Sequence, residues 1–279
     1  MNCTRRDMLK QGAGLAALLA MGLPRIASAQ GKKIPVALQM YSLRNECAKD
    51  LPGMLEAVAK IGFAGVEFAG YHGRSAADLK KLLDANGLKC CGTHTGLNTI
   101  MGDALKATVE FNQTIGNPRL IVPSLPHERV ASAQACKDTA KLLTETAAKV
   151  KDQGMFVGYH AHGGDFKKFD GETVWDLIFS NSGSAVIMQL DTSNCLGGGG
   201  DPVAILKKYP GRAKTVHLKE FGGPKDAVIG QGVVKWDEVF AICESTGGTE
   251  WYIVEHESGP APLESVKGCF EALKKMGKV

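Results

Sequence analysis

From Ile34 onward, short apolar runs rich in β-branched residues alternate with longer stretches whose apolar positions recur at helical spacing, and Gly, Asn and Pro punctuate the joins. The short runs, at 34–41, 65–69, 88–95, 119–124, 155–162, 185–191, 213–219 and 251–257, are predicted as strands. The stretches between and after them, at 51–61, 75–86, 99–115, 131–152, 172–179, 202–208, 237–245 and 263–276, are predicted as helices. Local signals agree with this division. Asp50 stands as N-cap with Pro52 in the first turn and Gly62 as stop, Ser75 and Asp78 form a capping pair, and Asp201-Pro202 opens the sixth helix. Pro123 belongs at a strand end, because it cannot donate to a ladder. Strict alternation of eight strands and eight helices predicts an α/β fold, a single (β/α)8 TIM barrel, whose functional groups gather at the C-terminal ends of the strands.

Polar residues interrupt the apolar runs at those ends. The fifth run closes on Tyr159-His160-Ala161-His162, and alternation puts His160 and His162 on one face. The next three close on Asp191, on His217 and Lys219, and on Glu255 and Glu257. Strands five to eight are neighbours in such a barrel, so His160, Asp191, His217 and Glu255 are expected to converge on one divalent metal ion. Two imidazoles and two carboxylates suit Mn, Co, Fe or Zn better than Mg. Glu257, His162 and Lys219, next to these ligands, are the candidate catalytic residues: Glu255 and Glu257 point the same way, so one binds metal while the other acts as base, with Glu255 favoured as ligand; His162 is a base or a substrate contact; and Lys219 is placed to polarise a substrate oxygen. Gln39, Tyr41, Glu67 and His94 also face inward at strand tips and, with Asn194 and Trp236, are the candidate substrate contacts. Glu67 is a candidate second acid or an anchor for Arg44, and Lys219 has Asp191 and Glu220 as candidate partners. Tyr159 and Tyr252 are out of phase and should face the helices. The glycine-rich connection 220–235 is expected to be a mobile active-site loop.

The first residues follow a different logic. Arg5-Arg6 precedes an apolar stretch, and Ala27-Ser28-Ala29 supplies a small-residue cleavage site, so 1–29 is expected to be a twin-arginine signal peptide with the barrel occupying 30–279. The protein is then expected in the periplasm or secreted, with the Tat export machinery as a partner. The leader carries four of the 33 basic residues and one of the 29 acidic ones, so the remainder is close to neutral. There is no electrostatic case for nucleic acid or for a membrane surface. Seven cysteines at irregular spacing follow the leader; they form no disulfide framework and are expected mostly as small core residues.

The stretches Leu190-Asp191-Thr-Ser-Asn194, Val216-His217-Leu-Lys219 and Val254-Glu255 resemble the strand-six, strand-seven and strand-eight motifs of the xylose-isomerase-like TIM-barrel family of sugar isomerases and epimerases, which also contains endonuclease IV. The resemblance spans nearly the whole chain after the leader. It implies a metal held by Glu, Asp, His and Glu from strands five to eight, and here His160 stands where the first Glu would be. The Tyr-His-x-His sequence resembles a subgroup of inosose-dehydratase-like proteins and enzymes that cleave 3-keto-glycosides. The resemblance also makes His94 and Lys219 contacts to a sugar, and implies a dimer or tetramer as the common assembly.

The function expected from these residues is an exported, divalent-metal-dependent sugar isomerase or epimerase, acting by proton abstraction next to a carbonyl with an enediolate stabilised by the metal. In the family's epimerases the strand-five and strand-eight glutamates act as paired bases. A neutral imidazole binds metal or moves a proton, but not readily both. The alternative is therefore a lyase or hydratase eliminating from a 3-keto-glycoside or inosose-like substrate. A non-catalytic sugar-binding protein is the alternative of another class.

Overall fold

The computed structural model describes residues 33–279; the expected leader lies outside the described residues. Among the described residues eight parallel strands close into a barrel: β1 (Val36–Gln39), β2 (Gly65–Phe68), β3 (Lys89–His94), β4 (Arg119–Val122), β5 (Phe156–His160), β6 (Ile187–Asp191), β7 (Thr215–Leu218) and β8 (Trp251–Val254). Each strand pairs with its sequence neighbours, and β1 closes the ring against β8.

Helices wrap the outside: α1 (Arg44–Ile61), α2 (Ala76–Ala85), α3 (Ala104–Thr114), α4 (Ala133–Val150), α5 (Val174–Asn181), α6 (Thr192–Gly197), α7 (Pro202–Lys208), α8 (Trp236–Cys243) and α9 (Pro262–Lys275). The caps follow the sequence. Asp50 breaks α1 with φ −150° and ψ 76°, and its Oδ1 accepts the Gly53 N–H at 3.0 Å, so the stretch after it starts as a capped helix of its own. Gly62 ends it in the left-handed region at φ 116°. Ser75 accepts the Asp78 N–H at 3.1 Å. Several bounds shift, the first helix starting at Arg44 and the third at Ala104, and two connections differ. The helix placed at 172–179 runs Val174–Asn181 behind a small hairpin (Lys168–Phe169 with Glu172–Thr173), and β6 leads into α6 before α7.

The main core lies between strands and helices, where Tyr159, Trp175, Phe68, Phe240 and Tyr252 are fully buried. Each such side chain contributes about 1.5–3 kcal/mol. Tyr159 and Tyr252 face the helices, as their phase requires. The cysteines Cys47, Cys90, Cys91, Cys136, Cys195, Cys243 and Cys269 are all free and buried.

Inside the barrel a second, small cluster of Ala37, Cys91, Trp251 and Ile253 fills the lower end. Above it the lining turns polar. Register explains which residues meet: Gln39 stands beside Glu67, His160 beside Gln189, and Asp191 beside His217. Gly92 makes room for this layer. A Cβ there would lie 2.3 Å from Glu67 Oε1, so any larger residue would force the carboxylate to shift from its place.

A candidate metal centre at the barrel mouth

His160, Asp191, His217 and Glu255 offer one ligand atom each, all within 4.8 Å of one another, and all four residues are buried. The strand tips therefore meet as the alternation predicts.

The hydrogen bonds below them fix how each side chain is presented. Glu67, fully buried, is the hub: its Oε2 lies 2.6 Å from His217 Nε2 and accepts from Gln39 Nε2 at 2.8 Å, while its Oε1 accepts from Gln189 Nε2 at 2.8 Å. Gln189 Oε1 in turn lies 3.0 Å from His160 Nδ1 and 2.9 Å from His94 Nε2, and its Nε2 also reaches Thr215 Oγ1 at 3.0 Å. An amide oxygen only accepts, so His160 carries its proton on Nδ1 and keeps the Nε2 lone pair free. His217 gives Nε2–H to Glu67 and turns Nδ1 toward Glu255, 2.8 Å from its Oε2.

Asp191 is only half satisfied. Its Oδ1 accepts the Asn194 N–H at 2.7 Å, whereas its Oδ2 is buried without a partner. A buried carboxylate oxygen left unpaired costs several kcal/mol by order of magnitude, and a cation among these four residues would remove that cost.

Charge in the cluster is balanced by protons. Burial pulls the His217 imidazole down, but Glu67 and Glu255 together push it up to about 10. Burial raises Glu255, and the bonded and charged His217 more than reverses this. Burial likewise raises Asp191, and Lys219 does not fully offset it. His160 is held well below its usual value by burial and by the neighbouring histidines, so it is a neutral imidazole. Two neutral-capable imidazoles, an orphaned carboxylate oxygen and a second carboxylate form a donor set that fits a divalent cation.

Above the cluster opens a cavity of 450 Å3, lined among others by Tyr41, His94, His162, Asn194, Lys219 and Glu257. The His162 ring is 4.9 Å from that of His160. Burial, partly countered by Glu255, holds its imidazole below the usual value. Lys219 pairs with Glu257, not with Asp191 or Glu220, and Glu255, Asp191 and Glu257 outweigh burial in keeping it protonated. Asn194 donates to the Ala161 carbonyl at 3.0 Å, and the Arg44 guanidinium covers the Tyr41 ring at 4.5 Å.

Three expected substrate contacts lie elsewhere. Gln39 and Glu67 are fully buried and point inward as expected, but one layer below the cavity, where the histidines cover them. Glu67 does not anchor Arg44, whose Nη1 donates to the Tyr41 carbonyl at 3.0 Å. Trp236 is a packing anchor outside the cavity, with its indole N–H on Glu220 Oε2 at 2.8 Å and its ring stacked on Phe240. The connection 220–235 also differs from expectation. Glu220 ties it down by accepting the N–H groups of Phe221 at 3.0 Å, Gly230 at 2.6 Å and Val234 at 3.3 Å, and none of its residues lines the cavity. Gln189 and Thr215 were not singled out from the sequence. Their signal is there, since each precedes a candidate ligand by two residues and shares its strand face.

The family model described as "Xylose isomerase-like TIM barrel" matches residues 55–276. Over 87% of its length the chain is 24% identical to the rhizopine catabolism protein MocC of Rhizobium meliloti, covering 88% of that protein. Over 73% of its length it is 25% identical to an inosose dehydratase of Bacillus thuringiensis, covering 81% of it. A sugar phosphate isomerase/epimerase structure from Parabacteroides distasonis superposes with a TM-score of 0.77 at 26% identity, over 88% of this chain and 99% of that one. The IOLI protein with a bound zinc atom superposes with a TM-score of 0.66 at 15% identity, over 88% and 96%. Barrel closure, strand-tip residues and a family match over most of the length agree: the chain is a member of the xylose isomerase-like TIM barrel family.

Proposed function

We propose that this protein is a divalent-metal-dependent enzyme that removes a proton next to the carbonyl of a sugar or sugar derivative, in the manner of a sugar isomerase or epimerase. The observation that carries the reading is Asp191 Oδ2, buried without a partner among His160, His217 and Glu255. His160 through Nε2, His217 through Nδ1, and the two carboxylates would hold the ion, with Mn, Co, Fe or Zn favoured by the mixed nitrogen and oxygen donors. When bound, such an ion supplies positive charge to a substrate carbonyl and its neighbouring hydroxyl. The zinc in the IOLI neighbour is consistent with this choice.

The remaining work falls to side chains at the mouth. His162 is neutral and faces the cavity, so it can accept a proton from carbon. Glu257 is the second group able to carry a proton and also positions Lys219, whose ammonium can donate to a developing oxyanion. Elimination is the second reading. It is favoured by His160, a metal-holding imidazole where two-base enzymes have a glutamate, and by relatives named inosose dehydratase.

One experiment separates these readings: incubation of the metal-loaded protein with ketosugars and 3-keto-glucosides in D2O. Deuterium at the carbon beside the carbonyl, without loss of a substituent, is the expected result for an isomerase or epimerase. Release of water or an aglycone moves the assignment to elimination, and neither exchange nor release with any carbonyl sugar would sink both. We further propose, from the paired arginines and the Ala27-Ser28-Ala29 site, that the protein is exported folded and cleaved after Ala29. N-terminal sequencing of protein from the cell envelope should read Gln30 first.

A further inference from the structure

His94 lines two cavities. One is the 450 Å3 space above the cation cluster, and the other, of 340 Å3, is walled by Tyr71, Thr95, Ala107, Thr108 and Phe111. The chemistry proposed above uses only the first.

The second cavity is built from different material. The Tyr71 and Phe111 rings stack with centroids 4.1 Å apart and planes 27° from parallel. The Tyr71 hydroxyl is held by Asn112 Nδ2 at 3.2 Å, and that nitrogen also donates to the Thr108 carbonyl at 2.8 Å. Asn112 Oδ1 is itself fixed by Thr93 Oγ1 at 2.9 Å and by Asn117 Nδ2 at 2.8 Å. The aromatic wall is thus preformed, so a ligand meeting it need not order it first. Thr95 lines the same cavity at 6% exposure, and its hydroxyl has no hydrogen-bond partner. An unpaired buried hydroxyl beside an aromatic wall suits a ligand that is mostly flat and apolar with one polar atom.

We infer that the substrate has two parts: a carbonyl-bearing sugar unit over the cation cluster and, joined to it across His94, a flat and largely apolar ring in the second cavity. The first half of this inference rests on the sugar reading given above; the second rests on the cavity itself. A pyranose with an aryl substituent is the chemical class that satisfies both, since its aryl group gains contact with Tyr71 and Phe111 that a methyl substituent cannot make.

The test compares phenyl and methyl β-glucosides binding to the metal-loaded protein by titration calorimetry; neither is oxidised, so nothing turns over. The phenyl compound is expected to bind about tenfold more tightly, the equivalent of one aromatic contact. Ala107→Trp, at an exposed position on α3, fills the second cavity and is expected to abolish that preference while leaving the methyl compound's affinity unchanged. Phe111→Ser should reduce the preference by removing the stacking wall, with circular dichroism reporting that α3 is retained. Equal affinities in the wild type, no binding of the phenyl compound, or a loss shared equally by both compounds in Ala107→Trp would overturn the inference. Deuterium exchange into a simple ketosugar is a separate readout: it can succeed while the aryl preference fails, and the preference can hold while exchange fails.

Discussion

Glu67 Oε2 lies 2.6 Å from His217 Nε2, so a carboxylate that never reaches the cavity sets how a candidate ligand on the far side of the barrel presents its other nitrogen. The pair fixes the ring plane of His217 and decides that Nε2 keeps its proton when a cation displaces the one on Nδ1. Glu67→Gln keeps the shape and removes the charge. It is expected to lower metal affinity by about 10- to 100-fold, measured by competition with a chelator. Unchanged affinity would mean that His217 is oriented by something other than Glu67.

Asp191 carries the opposite balance: it is buried, its carboxyl is raised, and one oxygen is unpaired. Asp191→Asn removes an ionisable group from a site that disfavours its charge. The metal-free variant is therefore expected to melt at or above the wild-type temperature, because the packed layers lie beneath the cluster. The stabilisation that added metal gives the wild type, about 3 kcal/mol at a hundredfold excess over Kd, should vanish. Thermal melts with and without metal check both halves; metal-dependent stabilisation retained in the variant, or in His217→Ala, would remove these residues from the ligand set.

Asp165 sets a pH dependence of stability. It accepts the Tyr159 hydroxyl at 2.7 Å and the His162 N–H at 2.7 Å, yet burial outweighs both and pushes its carboxyl from 3.8 up to about 6. The folded protein therefore holds this proton more tightly than the unfolded chain. The group's contribution is complete below about pH 4 and is lost as pH rises through about 6. Asp165→Asn cannot ionise, so its stability relative to wild type should improve by on the order of 2–3 kcal/mol between about pH 4 and pH 7. Urea unfolding of chelator-treated proteins reads this directly, and a stability difference that stays flat across the range would contradict it.

Glu220 organises the longest connection through one carboxylate that meets three backbone N–H groups and the Trp236 indole. Glu220→Ala leaves those donors to water or to nothing. A loss of about 1–3 kcal/mol is expected, with faster proteolysis inside 221–235. Because no residue of that stretch lines the cavity, metal binding should be preserved. A variant that loses its metal while the connection stays protease-resistant would show that the segment serves the site rather than the fold.

The barrel was legible because its signals are local and repeated. Period-two runs, helical spacing, Asp50 and Ser75 as caps and Gly62 as a stop each act within a few residues, and their sum leaves little freedom in topology. The convergence of the candidate ligands was legible for a related reason, since alternation along a strand and adjacency around a closed barrel place His160, Asp191, His217 and Glu255 together without knowledge of any contact. The small hairpin before α5 was missed because two-residue strands carry no periodicity to read.

Depth inside the barrel was not legible. Gln39 and Glu67 face the axis, as their phase says, but whether an inward residue meets substrate or lies beneath the residues that do depends on the stagger between neighbouring strands, and that is set by pairing across the closed sheet. Sequence alone determined a (β/α)8 barrel with two histidines and two carboxylates at one rim. Only the tertiary structure decided that Glu67 and Gln189 orient those histidines from below, that Lys219 answers Glu257, and that Trp236 faces away. Those outcomes depend on distances between residues far apart in the chain, and no local pattern encodes such distances.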